Sequence, residues 1–145
     1  MSYEGRQSFF LNEIYPLADE AFRFLYLITG TRSNALQHLS AVYEKVYTSL
    51  EEAMEAKDLR VYLFQVCWQD ACREISNRIE PDTADHGELS VFLANYNSSE
   101  RLAMVGIDIL GLSEADILSI THWDKNDLMQ NLERGREKLQ KHNIE

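Results

Sequence analysis

The sequence predicts an all-α protein of two small helical lobes. Three observations carry this. Apolar residues make up 45% of the 145 positions, enough for a packed core. Proline occurs only at Pro16 and Pro81, which leaves long stretches free to be helical. In those stretches apolar residues recur at three- and four-residue spacing, the period of a helix with one buried face.

The first helix is expected from about Gln7 to Thr29, with Phe10, Ile14, Leu17, Ala21, Phe24, Leu25 and Ile28 on its buried side. Gly30 follows as a left-handed stop. Ser33 or Asn34 can cap a second helix reaching about Met54, striped by Ala35, Leu39, Val42, Tyr43, Val46 and Leu50. Asp58 opens a third through Ile79, with Val61, Leu63, Phe64, Val66, Cys67, Ala71 and Ile75 mostly inside. The first lobe is therefore residues 1–79. Residues 80–97 read as an acidic linker containing a short apolar helix around Leu89, Val91, Phe92, Leu93 and Tyr96.

Residues 98–145 form the second lobe. Ser99 can cap a helix over Glu100–Leu110 with Leu102, Val105 and Ile109 on one face, and Gly111 stops it. Ser113-Glu114-Ala115-Asp116 is a capping-box pattern, so a short helix starts there and runs to Thr121, burying Ile117 and Ile120. His122 and Trp123 make the turn, and Asp124 caps a last helix with Leu128, Leu132 and Leu139 on one side. Helix, glycine, short helix, tight turn and long helix is a helix-turn-helix order.

Charge sets a limit on function. The net charge is −10, and residues 1–79, 80–97 and 98–145 carry −3, −4 and −3. Affinity for nucleic acid rests largely on lysine and arginine displacing counterions, and no segment is net basic. Cys67 and Cys72 lie five apart on one helix, point different ways and read as core residues rather than a disulfide or metal pair. His38, His86, His122 and His142 have no ligand spacing, so no metal or cofactor site is expected. Acid pairs such as Glu51 and Glu52 read as solvated helix charge. No phosphate loop or nucleophile elbow is present, and an enzyme is not expected. With no signal-like or membrane-spanning apolar run, the chain reads as cytoplasmic, without a membrane partner.

The run ERLAMVGIDILGLSEADILSITHWDKNDLMQNLERGREKL, from Glu100 to Leu139, resembles region 4 of the extracytoplasmic-function sigma factors, most specifically in GLSEADI. YPLADEAFRFLYLITGTRSNALQHL and LRVYLFQVCWQDACREI are similar to helices of region 2. The resemblance implies a sigma-like fold, and the departures from it carry information. Where the family places acidic and Gln-Glu residues that grip polymerase, this chain has Leu36, Gln37, Ser40 and Ala41. The expected recognition-helix positions are Lys125, Asp127, Met129, Asn131 and Arg134, and an aspartate there weakens DNA affinity. Arg134, Arg136, Lys138 and Lys141 follow as helix C-terminal charge. Of the basic run that helps melt promoters, only Arg73 and Arg78 remain.

These losses resemble the sigma-like domain of PhyR-type general stress response regulators, on DLRVYLFQV and LGLSEADIL. That branch sequesters an anti-sigma factor by copying the sigma surface. The implied partner is an anti-sigma-type protein held by helices in a groove between the lobes. RNA polymerase core and promoter DNA are partners only if the chain is instead a divergent working sigma factor. An unrelated helical scaffold is a third reading. The candidate partner-binding residues are Trp68, Trp123, Leu128 and Met129, since aromatic and methionine side chains suit adaptable interfaces. Those regulators continue into a receiver domain, so phosphorylation control is not carried over. The oligomeric state is left open.

Overall fold

Residues 2–72 and 96–144 are described by a computed structural model, and among them every regular element is helical. The first lobe opens with α1 (Tyr3–Phe9), capped by the Ser2 hydroxyl accepting the Gly5 N–H at 3.1 Å. One helix was expected over Gln7–Thr29. Instead the chain starts four residues earlier and passes through a wide π turn at Phe10–Ile14 and a 3₁₀ turn at Tyr15–Leu17 before α2 (Ala18–Thr29). Pro16 explains the interruption, because it has no N–H to give and its ring crowds the preceding turn. Gly30 ends α2 with φ 82°, as its position foretold.

The next helix, α3, is Arg32–Thr48 and is capped by Thr31, not by Ser33 or Asn34: the Thr31 hydroxyl accepts the Asn34 N–H at 3.2 Å. It does not run to Met54. Ser49 leaves helical geometry (φ −125°, ψ 41°), and α4 (Leu50–Glu55) starts afresh. The Thr48 hydroxyl bonds back to the Lys45 carbonyl at 2.9 Å just before the break, a pattern that bends helices. Asp58 caps α5 (Leu59–Ala71) through the Val61 N–H, as expected. The remainder of that predicted helix, with Ile75, Arg73 and Arg78, lies outside the described residues. So does the linker as far as position 95. Cys67 is buried, but Cys72 is exposed at the end of α5, which corrects the reading of both as core.

In the second lobe α6 (Ser98–Met104) is capped by Asn97 rather than Ser99, in a reciprocal box with Glu100. A π turn over Val105–Ile109 and Gly111 at φ 69° lead to α7 (Glu114–Thr121). The Ser113–Asp116 box forms as its sequence requires, with bonds of 3.0 and 3.3 Å. After His122 and Trp123 comes α8 (Lys125–Ile144).

One hydrophobic cluster runs through both lobes. It includes Ile14, Phe24, Ile28, Val42, Leu63 and Phe64 of the first, and Leu102, Ile117, Ile120, Leu128 and Leu132 of the second. Phe24 and Phe64 stack with centroids 4.6 Å apart, fixing α2 against α5. Two glycines permit close helix approach in the second lobe. A Cβ on Gly106 would sit 2.3 Å from Ile117 Cδ1, and one on Gly135 would sit 2.2 Å from Met104 Sδ.

Candidate functional site

The two lobes are packed together, and the seam between them collects most of the unusual chemistry. At one end lies Arg101, on the first turns of α6 and only 1% exposed. Its Nε donates to the Ile28 carbonyl at 2.6 Å and its Nη1 to the Tyr96 carbonyl at 2.5 Å. Ile28 belongs to the last turn of α2, where carbonyls lack helical partners and the helix dipole is negative. A guanidinium is the group best suited to satisfy them. Burial pushes the Arg101 pKa down to about 10, with the neighbouring Glu100 carboxylate acting against that, so the cation persists at neutral pH. Glu100, itself 2% exposed, accepts from the Asn97 N–H at 3.1 Å and from Lys138 Nζ at 2.6 Å.

At the other end Trp68 of α5 meets Trp123 of the helix-turn-helix turn. Their rings sit edge to face, with centroids 6.0 Å apart at 84°. The turn is held locally: the Trp123 N–H donates to the Thr121 hydroxyl at 3.0 Å, and that hydroxyl donates to the Ile117 carbonyl at 2.8 Å. His122 takes the left-handed conformation, φ 64°, rarely adopted by a residue with a Cβ, and lies 3.1 Å from Gln65 Nε2 through its own Nε2. Between the two ends Arg60 of α5 donates to the Leu110 carbonyl at 3.4 Å, lies 3.3 Å from Glu20, and covers the Phe64 ring. An open cleft of about 420 Å³ runs across the seam beside α7, with four carboxylates, Glu52, Glu55, Asp58 and Asp116, and one cation, Lys57, among its walls.

The start of α8 is the other candidate surface. Asp124 and Asp127 cap each other: the Asp127 N–H donates to Asp124 Oδ1 at 2.8 Å, and the Asp124 N–H to Asp127 Oδ2 at 3.2 Å. Asp127, an expected recognition-helix position, therefore has a structural task at the start of its own helix. The Asn131 amide is also turned inward, donating to the Asp127 carbonyl at 2.9 Å. Lys125, Met129 and Arg134 stay exposed. Further along, Arg136 pairs with Asp108 at 2.9 Å and Lys138 with Glu100, so these cations brace α8 on its own lobe. Because α8 runs on to Ile144, Arg134, Arg136 and Lys138 lie before its last turn and are not the helix C-terminal charge expected of them.

Of the predicted partner residues, the structure brings Trp68 and Trp123 together and leaves Met129 exposed at 45%. It encloses Leu128 fully in the core and Trp68 to 8% exposure, so in this closed arrangement neither offers surface. Arg101, Arg60 and the Gln65–His122 contact were missed. Arg101 had a partial signal: it lies three and four residues before the apolar Met104 and Val105. Of the predicted polymerase-facing losses, Leu36, Gln37 and Ser40 are all exposed on α3.

No protein-family model matches the chain, and no curated protein matches it. Solved structures do. The anti-anti-sigma factor PhyR, complexed with the anti-sigma factor NepR from Bartonella quintana, superposes with a TM-score of 0.72 at 18% identity, over 91% of this chain and 50% of that one. The sigma factor RpoE, in complex with NepR from the same organism, superposes with a TM-score of 0.67 at 16% identity, over 97% of this chain and 96% of that one. The chain has the sigma-like fold. It spans about half the length of the PhyR chain. The helix-turn-helix order read from the sequence corresponds to α7, the His122–Trp123 turn and α8. Among the described residues no helix is long and apolar enough to cross a membrane.

Proposed function

We propose that this chain regulates transcription as a sigma mimic: it binds an anti-sigma-type protein and does not bind promoter DNA. The observation that carries this reading is the acidic cap on α8. A helix that reads DNA brings its first turns against phosphates and base edges. Here those turns present Asp124 and Asp127, locked to each other, and an Asn131 amide folded onto its own helix. The shape of a sigma factor is kept, while Asp127 and Asn131 on the helix that would read DNA are engaged within that helix and Lys125 and Arg134 are its exposed cations.

Both structural neighbours are complexes with the anti-sigma factor NepR, which supports an anti-sigma-type partner for the shared shape. The expected mode is a partner helix lying between the lobes, where it replaces contacts that the seam now makes within the chain. Basic residues on such a helix would meet the carboxylates of the seam cleft. The role is one of binding, not catalysis. The test is co-purification of the tagged chain with an anti-sigma factor of the NepR type and, separately, with core RNA polymerase. A stoichiometric complex with the first and none with the second is expected. Stable co-elution with core polymerase overturns the reading.

A second reading, a divergent working sigma factor, draws on the match to RpoE along nearly its whole length. It requires salt-dependent promoter binding together with polymerase. Run-off transcription with active core polymerase separates the two.

A further inference from the structure

The side chain of Gln65 belongs to two features at once. It lines the open cleft with Tyr62, Asp116 and Ser119, and its amide N–H donates across the seam to His122 Nε2 at 3.1 Å. Trp68 follows three residues later on α5, so this bond and the Trp68–Trp123 contact hold the same turn. His122 is an unusual residue for its place. It ends α7 in the left-handed region, φ 64° and ψ 20°, with its N–H on the Leu118 carbonyl at 2.8 Å. That cap is ordinarily a glycine, and a side chain there is strained. Strain of this kind persists only where surrounding groups hold it. Here the Thr121 hydroxyl holds the turn from within, and Gln65 holds it from the other lobe.

The cleft beside this bond suits a cation. Its walls carry four carboxylates against Lys57, and they include Val61 and Tyr62, on which the stem of a lysine or arginine can lie. A cation held there attracts the amide oxygen of Gln65 and turns the N–H away from His122.

We propose that the Gln65–His122 bond is an autoinhibitory latch. It holds the α7–α8 turn on α5 until a basic side chain of the anti-sigma-type partner enters the cleft and takes Gln65. Release frees a strained turn and leaves the edge-to-face tryptophan pair to hold that end of the seam. The inference rests on the anti-sigma-binding reading and adds its regulation. The closed state competes with the partner, so apparent affinity falls with the fraction of chains that are open.

The test titrates the full chain and two variants with NepR from Bartonella quintana, the anti-sigma factor bound to both structural neighbours, by calorimetry. His122→Asn keeps a residue that tolerates the left-handed region but is too short to reach Gln65. It should bind about three- to tenfold tighter than the native chain, the factor one hydrogen bond contributes to the competing closed state. Gln65→Ala removes the latch and the partner's contact together, so it should bind at least about threefold weaker than His122→Asn. Both positions lie at the surface, and circular dichroism establishes that the variants stay folded. In the free His122→Asn chain, hydrogen exchange should quicken in the α7–α8 turn. Unchanged or weaker binding by His122→Asn, with the native chain binding, overturns the latch and leaves the anti-sigma reading standing. Gln65→Ala binding as tightly as His122→Asn also overturns it, since the partner would then make no use of Gln65. Unchanged exchange in the turn does the same. No binding by the native chain or either variant overturns both readings.

Discussion

The two ends of the seam join the same lobes by opposite means. At the Arg101 end a buried cation donates to backbone carbonyls of Ile28 and Tyr96. At the Trp end two rings touch edge to face, backed by one bond between Gln65 and the exposed His122. Removing one member of a buried charge-assisted network strands groups that water cannot reach, at about 2–4 kcal/mol. An edge-to-face aromatic pair contributes about 0.5–1.5 kcal/mol beyond its burial. The seam should therefore open at the tryptophans and hinge at Arg101. A partner helix entering between the lobes would displace the cheaper end first.

The sharpest way to break this comparison is Arg101→Met. It keeps most of the apolar bulk and removes the donors, so a loss of about 2–4 kcal/mol in urea unfolding is expected. A loss no larger than that of Trp123→Ala would erase the contrast between the ends. Next comes Gly106→Val, which forces a branched side chain toward Ile117 Cδ1, already 2.3 Å from where a Cβ would stand. Overpacking there should cost about 1–3 kcal/mol and loosen the packing of the Val105–Ile109 turn on α7. Trp123→Ala should cost about 1–2 kcal/mol and move the emission of the remaining Trp68 to longer wavelength as it meets water. Hydrogen exchange should quicken in the α7–α8 turn and stay slow near Ile28. Quickening at both ends together would show a single cooperative seam.

The smallest effect concerns acid, away from the seam. Asp70 accepts from His38 Nδ1 at 2.7 Å and from Lys45 Nζ at 2.8 Å. Burial pushes its carboxyl up, but the hydrogen bonds and charges of Lys45 and His38 outweigh that and leave it below the ordinary range. A depressed carboxylate adds stability above its unfolded pKa of about 4, and that stability is lost as pH falls through the lower folded value. Asp70→Asn should therefore flatten the acid limb of a stability–pH curve below about pH 4 and leave the seam signals unchanged. An unaltered acid limb would remove Asp70 from the account.

Local signals were readable in the sequence, and long-range ones were not. Asp58, Gly30 and the Ser113–Asp116 box each act within four residues, so the sequence contains their whole geometry. Where two capping residues competed, the choice went astray: Thr31 and Asn97 cap their helices, not the serines nearby. The break at Ser49 had no proline or glycine to mark it. The meeting of Trp68 with Trp123 depends on how α5 and α7 pack, and no local period encodes that. Asp127 is instructive in another way. Its acidity was visible and pointed away from DNA, and its bond to the Asp124 N–H has the same three-residue spacing as the Ser113–Asp116 box, so that bond was equally local.

The most direct measurement is displacement. An anti-sigma factor of the NepR type is immobilised with its own sigma factor bound, and this chain is added in increasing amounts. The account predicts stoichiometric release of the sigma factor, with this chain retained in its place. Retention of the sigma factor, with this chain passing through and co-eluting instead with core polymerase, would contradict it.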